Sequence, residues 1–98
     1  MTLGISFHED ARTEFDEAAD FYGMERTSLG LVFVDAVEQA IDHVREYPDS
    51  CPVLCGRARK ARVHRFPYSV LYSVTGDRIR VLAVAHDRRR PYYWNDRQ

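Results

Sequence analysis

The spacing of apolar positions changes twice along the chain. Leu3, Ile5 and Phe7 alternate with other residues, which predicts a short strand over Leu3–His8. From Ala11 the period lengthens. Ala11, Phe15, Ala18 and Tyr22 recur at helical spacing, while Asp16, Glu17 and Asp20 fall off that stripe. Asp10 is a candidate N-cap and Gly23 a candidate stop. A second helix is expected from a Ser28 cap to Tyr47, with Phe33, Val37, Ala40, Ile41 and Val44 inward. Pro48 disfavours helical geometry in the residue before it and ends the element. The short connection predicts an antiparallel helical hairpin.

The period returns to two after a loop over 48–56. Arg59–Phe66 is expected to be a basic strand. In Tyr68–Thr75, Tyr68, Val70, Tyr72 and Val74 share a face. Gly76-Asp77 signals a tight turn into Arg78–His86. Strict alternation there puts Ile79, Val81, Ala83 and Ala85 on one face and Arg80, Leu82, Val84 and His86 on the other. The order β-α-α-β-β-β predicts an α+β fold. An antiparallel helical hairpin covers one face of a small antiparallel sheet, the N-terminal strand joins its edge, and the opposite face carries much of the basic character.

Ninety-eight residues make one domain, spanning 1–98. No apolar run is long enough to cross a membrane, and the first residues lack the basic and apolar regions of a signal peptide. The expectation is a cytosolic protein without membrane association. Cys51 and Cys55 are too few for a disulfide framework. As a metal site, CPVLC would need two more ligands, with His64 and His86 the plausible donors. The plainer reading is two small thiols in a reducing compartment, with no metal.

Net charge is −1, but it is divided unevenly. Residues 1–50 hold 12 acids and 3 bases, a balance of −9. Residues 51–98 hold 11 bases and 3 acids, a balance of +8. Such a division either balances within one fold or gives the second half a local field for phosphates or an acidic protein segment.

Three stretches carry a resemblance. Arg65-Phe-Pro-Tyr-Ser-Val-Leu-Tyr72, Val81-Leu-Ala-Val-Ala-His86 and Arg88-Arg-Arg-Pro-Tyr-Tyr-Trp94 resemble the RelE/ParE superfamily of toxins from bacterial type II toxin–antitoxin modules. Ala18-Ala19, Phe21-Tyr22, Leu31–Glu38 and the Pro48 loop extend the likeness over nearly the whole chain. The tail looks closer to ParE-like members. The resemblance implies a growth-inhibiting toxin neutralised by a cognate antitoxin. ParE-like toxins poison DNA gyrase, whereas RelE-like toxins cut messenger RNA on the ribosome.

The two targets demand different chemistry. Metal-free RNA cleavage needs a base, an acid and cations around the phosphate. His64 and His86 could transfer protons, Tyr93 could act as an acid, and Arg62, Arg65 and Arg80 could clamp phosphate. Tyr93 falls near the C-terminal catalytic tyrosine of RelE-like toxins, and Arg59–Arg65 loosely matches their phosphate-binding strand. The duller alternatives are specific. His64 is a polar strand residue, His86 ties a loop, Arg65 pairs with an acid on the first helix, and Trp94 packs on the sheet.

Gyrase inhibition needs only a rigid surface with anchors. The candidates for target or antitoxin contact are Arg59, Arg62, Arg65, Arg80, Arg88, Arg89, Arg90, Tyr92, Tyr93 and Trp94. The leading expectation is a toxin that binds gyrase. The alternatives are a ribosome-dependent mRNA endonuclease and a non-toxic partner-binding member. No cofactor is expected. The second helix bears Asp35, Glu38, Asp42 and Glu46, so operator DNA binding is expected to need the antitoxin.

Overall fold

One strand, two helices and a meander of four strands follow one another in a computed structural model that describes residues 3–98. The elements are β1 (Gly4–Phe7), α1 (Glu9–Glu25), α2 (Thr27–Glu46), β2 (Val53–Cys55), β3 (Ala58–Arg62), β4 (Tyr68–Thr75) and β5 (Arg78–His86). A single 3₁₀ turn, Asn95–Arg97, follows. The strands form one sheet in the order β1-β5-β4-β3-β2. The fold is α+β. The sheet is mixed rather than purely antiparallel, because β1 enters beside β5 in parallel. The helical hairpin between them supplies the crossover that a parallel pair requires.

The helix boundaries differ from the sequence expectation for local reasons. His8, not Asp10, caps α1, its Nδ1 accepting the Asp10 N–H at 3.1 Å. Gly23 does not stop α1, which continues to Glu25. Arg26, not Ser28, precedes α2, and no side chain caps it. Gly23 has a packing role instead. A Cβ on Gly30 would sit 2.9 Å from Gly23 Cα, so the paired glycines let the two helix backbones meet.

The helices cover one face. Phe15, Phe33, Val37, Ile41 and Val44 pack on Ala61, Val63, Val70, Tyr72, Ile79 and Val81. Phe33 meets Tyr22, Phe66 and Tyr68, and Tyr22 meets Phe66, with ring centroids 4.9–5.1 Å apart. Edge-to-face and tilted aromatic contacts of this kind add to plain area burial. Tyr68, Val70, Tyr72 and Val74 share this face, as their alternation requires.

β5 does not keep its alternation. Tyr72 faces Val81 and Leu71 faces Ala83, leaving Leu82 as an extra residue. This β-bulge shifts the phase by one. Ile79 and Val81 face the helices, but Ala83 and Ala85 turn to the opposite side with Leu82. Val84 moves to the helix side.

The 48–56 loop contains β2, whose pairing with β3 is itself irregular. Tyr72 donates its hydroxyl to the Pro48 carbonyl at 3.0 Å, and Arg59 reaches the carbonyls of Asp49 and Cys51. β3 ends at Arg62 rather than Phe66. Residues 63–67 form a turn in which Val63 N–H donates to the Tyr68 carbonyl. No helix among the described residues is long and apolar enough to cross a membrane.

Candidate functional site

The face turned away from the helices is covered by the chain after β5. Ala58, Leu71, Leu82, Ala83 and Ala85 form its apolar floor, and Trp94 packs on them at 3% exposure. Lys60, Arg62 and Arg80 pair across the ladders with Leu71, Ser69 and Ser73, so their side chains stand on this same face. The expected concentration of basic residues opposite the helices is therefore present.

Two polar ties hold the tail down. Arg97 forms an ion pair with Glu14 at 3.0 Å and donates to the Leu82 carbonyl at 3.0 Å. Tyr93 donates its hydroxyl to Glu14 Oε2 at 2.9 Å, and Glu14 Oε1 accepts the Val84 N–H at 3.1 Å. Glu14 thus joins α1, β5 and the tail. Arg97 is further withdrawn by the Asp10 carboxylate at 3.9 Å. Burial raises the Tyr93 pKa, and the hydrogen bond and charge of Glu14 raise it further against the opposing Arg89 and Arg97. Burial alone would lower the Arg97 pKa, but its hydrogen bond and charge pairing with Glu14, with Tyr93 and Asp10 adding, leave it raised. The Arg89 guanidinium lies 3.9 Å from the Tyr93 ring centroid, a cation–π contact.

Beside this latch is a cavity of about 200 Å³. His86, Arg89, Arg90, Tyr92, Tyr93 and Trp94 line its tail side, and Lys60, Ser69 and Leu71 line its sheet side. His86 Nδ1 accepts the Arg88 N–H at 3.0 Å, so a neutral ring carries its proton on Nε2. The loop-tying role is present, and the ring packs edge-on against Tyr68 at 5.0 Å. Trp94 is packed on the sheet.

The structure gathers some of the candidates and separates others. His64 and Arg65 are exposed in the 63–67 turn and do not line this cavity. Arg65 makes no ion pair with α1. Of the acids on α1, Glu14 is engaged by Arg97 and Tyr93. Arg62 holds Asp87 with both contacts within 2.9 Å. Arg59 faces the helix side and staples the 48–52 loop. Arg80, Arg88 and Arg90 are exposed. Cys51 and Cys55 are free and half-buried, and no cluster of metal-ligating side chains forms among the described residues. Arg65 and Tyr92 adopt φ of 74° and 61°, a left-handed conformation costly for residues with a Cβ.

Sequence reasoning missed Glu14, Ser69 and Arg97. Glu14 sits at a helical position between Ala11 and Ala18, and only the fold shows that it faces the tail. The apolar side chains of Phe21, Met24 and Leu31 were missed too, and they are exposed near the closed end of the hairpin.

The model of the ParE toxin of the type II toxin–antitoxin system, parDE, matches residues 5–91. The chain belongs to the ParE toxin family. A solved structure described as the chromosomal ParDE toxin–antitoxin system from P. aeruginosa is similar in fold to this ParE family member. The TM-score is 0.75 at 17% identity, over 87% of this chain and 96% of the other. No curated protein matches it in sequence. The family match begins in β1 and ends at Pro91, so it spans the helical hairpin and the meander and stops before Tyr93, Trp94 and Arg97.

Proposed function

We propose that this ParE family toxin arrests growth by binding DNA gyrase and is neutralised by a cognate antitoxin that covers its basic face. The observation that carries the choice of binding over RNA cleavage is the state of Tyr93. Its hydroxyl is committed to Glu14, and its raised pKa makes it a poorer proton donor. His64 and Arg65 stand outside the cavity that His86 and Tyr93 share. Lys60 and Arg90 supply cations there, but the acid that RNA cleavage needs is withdrawn, because Tyr93 is held on Glu14. The arrangement does supply a rigid surface of aromatic and arginine side chains, the residue types that dominate binding interfaces.

The antitoxin half of the proposal rests on charge and shape. Lys60 and Arg90 are exposed at the cavity and Arg80 is exposed on the same sheet face, which suits an acidic segment that orders as it binds. The toxin works in the compartment that holds gyrase, the cytoplasm. Operator binding falls to the toxin–antitoxin complex rather than to the toxin alone.

The test pairs two measurements after induction of the chain without antitoxin. Loss of supercoiling by purified gyrase, with no new RNA 5′ ends in cells, is the expected result. New 5′ ends inside translated frames would replace gyrase binding with mRNA cleavage. No growth arrest at all would leave a partner-binding member without toxicity.

A further inference from the structure

Ser69 Oγ is the one buried side-chain nitrogen or oxygen among the described residues that has no hydrogen-bond partner. Ser69 is 2% exposed and lines the cavity beside the tail. An orphaned buried hydroxyl is costly, and native proteins rarely leave one without a purpose. The charged groups around it point the same way. Asp87 is neutralised by Arg62, and Arg89 is engaged by Tyr93 and Glu14. Lys60 and Arg90 form no ion pair among the described residues, and both line the cavity. The cavity therefore offers donors and almost no free acceptor.

We infer that this cavity is an anchor site for the carboxylate side chain of a bound peptide, taken by Ser69 Oγ, Lys60 and Arg90. The inference rests on the antitoxin reading above and names the subsite such a partner would use. A carboxylate is acceptor-only when ionised, so it complements the free donors of Ser69, Lys60 and Arg90. The cavity walls favour it over a nucleotide. The Tyr92 and Trp94 rings lie 5.9 Å apart at 54° to one another, which gives no parallel slot for a base. Leu54, Leu71, Ala85 and Trp94 make the remaining wall apolar. The peptide that fits is an acidic residue next to an aliphatic one, the latter resting near Leu54, which is 41% exposed.

The probes are the blocked tripeptides Ac-Leu-Asp-Leu-NH2 and Ac-Leu-Asn-Leu-NH2, with inorganic phosphate and AMP as competing chemistries. Each is titrated into the full chain and followed by NMR. The aspartyl peptide should shift the Trp94 indole and the Ser69 and Lys60 amides saturably, and the asparaginyl peptide should bind about tenfold more weakly. Ser69→Ala and Lys60→Gln should each weaken the aspartyl peptide by about tenfold with the spectrum otherwise folded. Equal binding of the two peptides, tighter binding of phosphate or AMP, or no saturable shift would overturn the inference.

A second arm separates this failure from failure of the antitoxin reading. If a co-encoded antitoxin binds wild type and both variants equally, the anchor is wrong and the antitoxin reading stands. If no co-encoded protein binds at all, that reading falls, and the tripeptide result decides the cavity alone.

Discussion

The two faces of the sheet are closed by different means. The helix face is sealed by two continuous helices whose aromatic and aliphatic side chains interlock. The tail face is sealed by a short strap with one large apolar anchor, Trp94, and a polar latch of Glu14, Tyr93 and Arg97. The first depends on buried area, which is non-directional and tolerant of small shifts. The second depends on a few directional bonds, each of which leaves an unpaired group when broken. The candidate binding surface is on the second face, where less apolar area holds the chain in place.

Substitutions can break that contrast. Phe33→Ala should cost about 4 kcal/mol and expose amides on both faces, because the aromatic cluster holds the whole sheet to the helices. Trp94→Ala should cost nearly as much, about 3 kcal/mol, but hydrogen exchange should rise mainly on the tail face. Equal exchange on both faces would make the tail an integral part of the core.

Glu14→Gln should cost about 2–3 kcal/mol in denaturant unfolding, because it leaves the Arg97 charge and the Tyr93 hydroxyl poorly matched. Gly30→Ala should cost about 1–2 kcal/mol through the clash with Gly23, leaving tail-face exchange unchanged. A stabilised variant would show that the helices can part freely at their closed end.

The smallest effect is a pH dependence. The Tyr93 pKa is raised in the folded state above its ordinary value of 10.0. Its stabilising contribution is present below that value and is lost as pH rises through the higher folded value. Stability should therefore fall above about pH 10, and Tyr93→Phe should flatten part of that slope. Tyr22, Tyr68 and Tyr72 are also raised by burial, so the difference between wild type and variant is the quantity to measure. An unchanged slope would place Tyr93 outside the latch.

Legibility in the sequence follows the same division. Both helices and the faces of β4 were readable because regular periodicity reports burial over many residues. The phase change at Leu82 was not, since a bulge inserts one residue without altering composition. That insertion reassigned Ala83 and Ala85 and hid the floor of the candidate site. Arg62 and Tyr93 were visible as functional residue types, but their partners Asp87 and Glu14 lie 25 and 79 positions away. Side-chain pairing over such separations is fixed by topology, which no local pattern carries. The orphaned Ser69 had no signal at all, because a serine on a strand reads the same whether its hydroxyl is satisfied or not.

Part of β5 has a strand on one side only. β1 pairs only as far as Val81, and beyond it Glu14 accepts from Val84 while Arg97 donates to Leu82. Two side chains stand where another strand's backbone would. They deny that edge to strands from other molecules. Weakening the latch should then appear first as chains joining edge to edge through β5, at concentrations where the monomer is still folded.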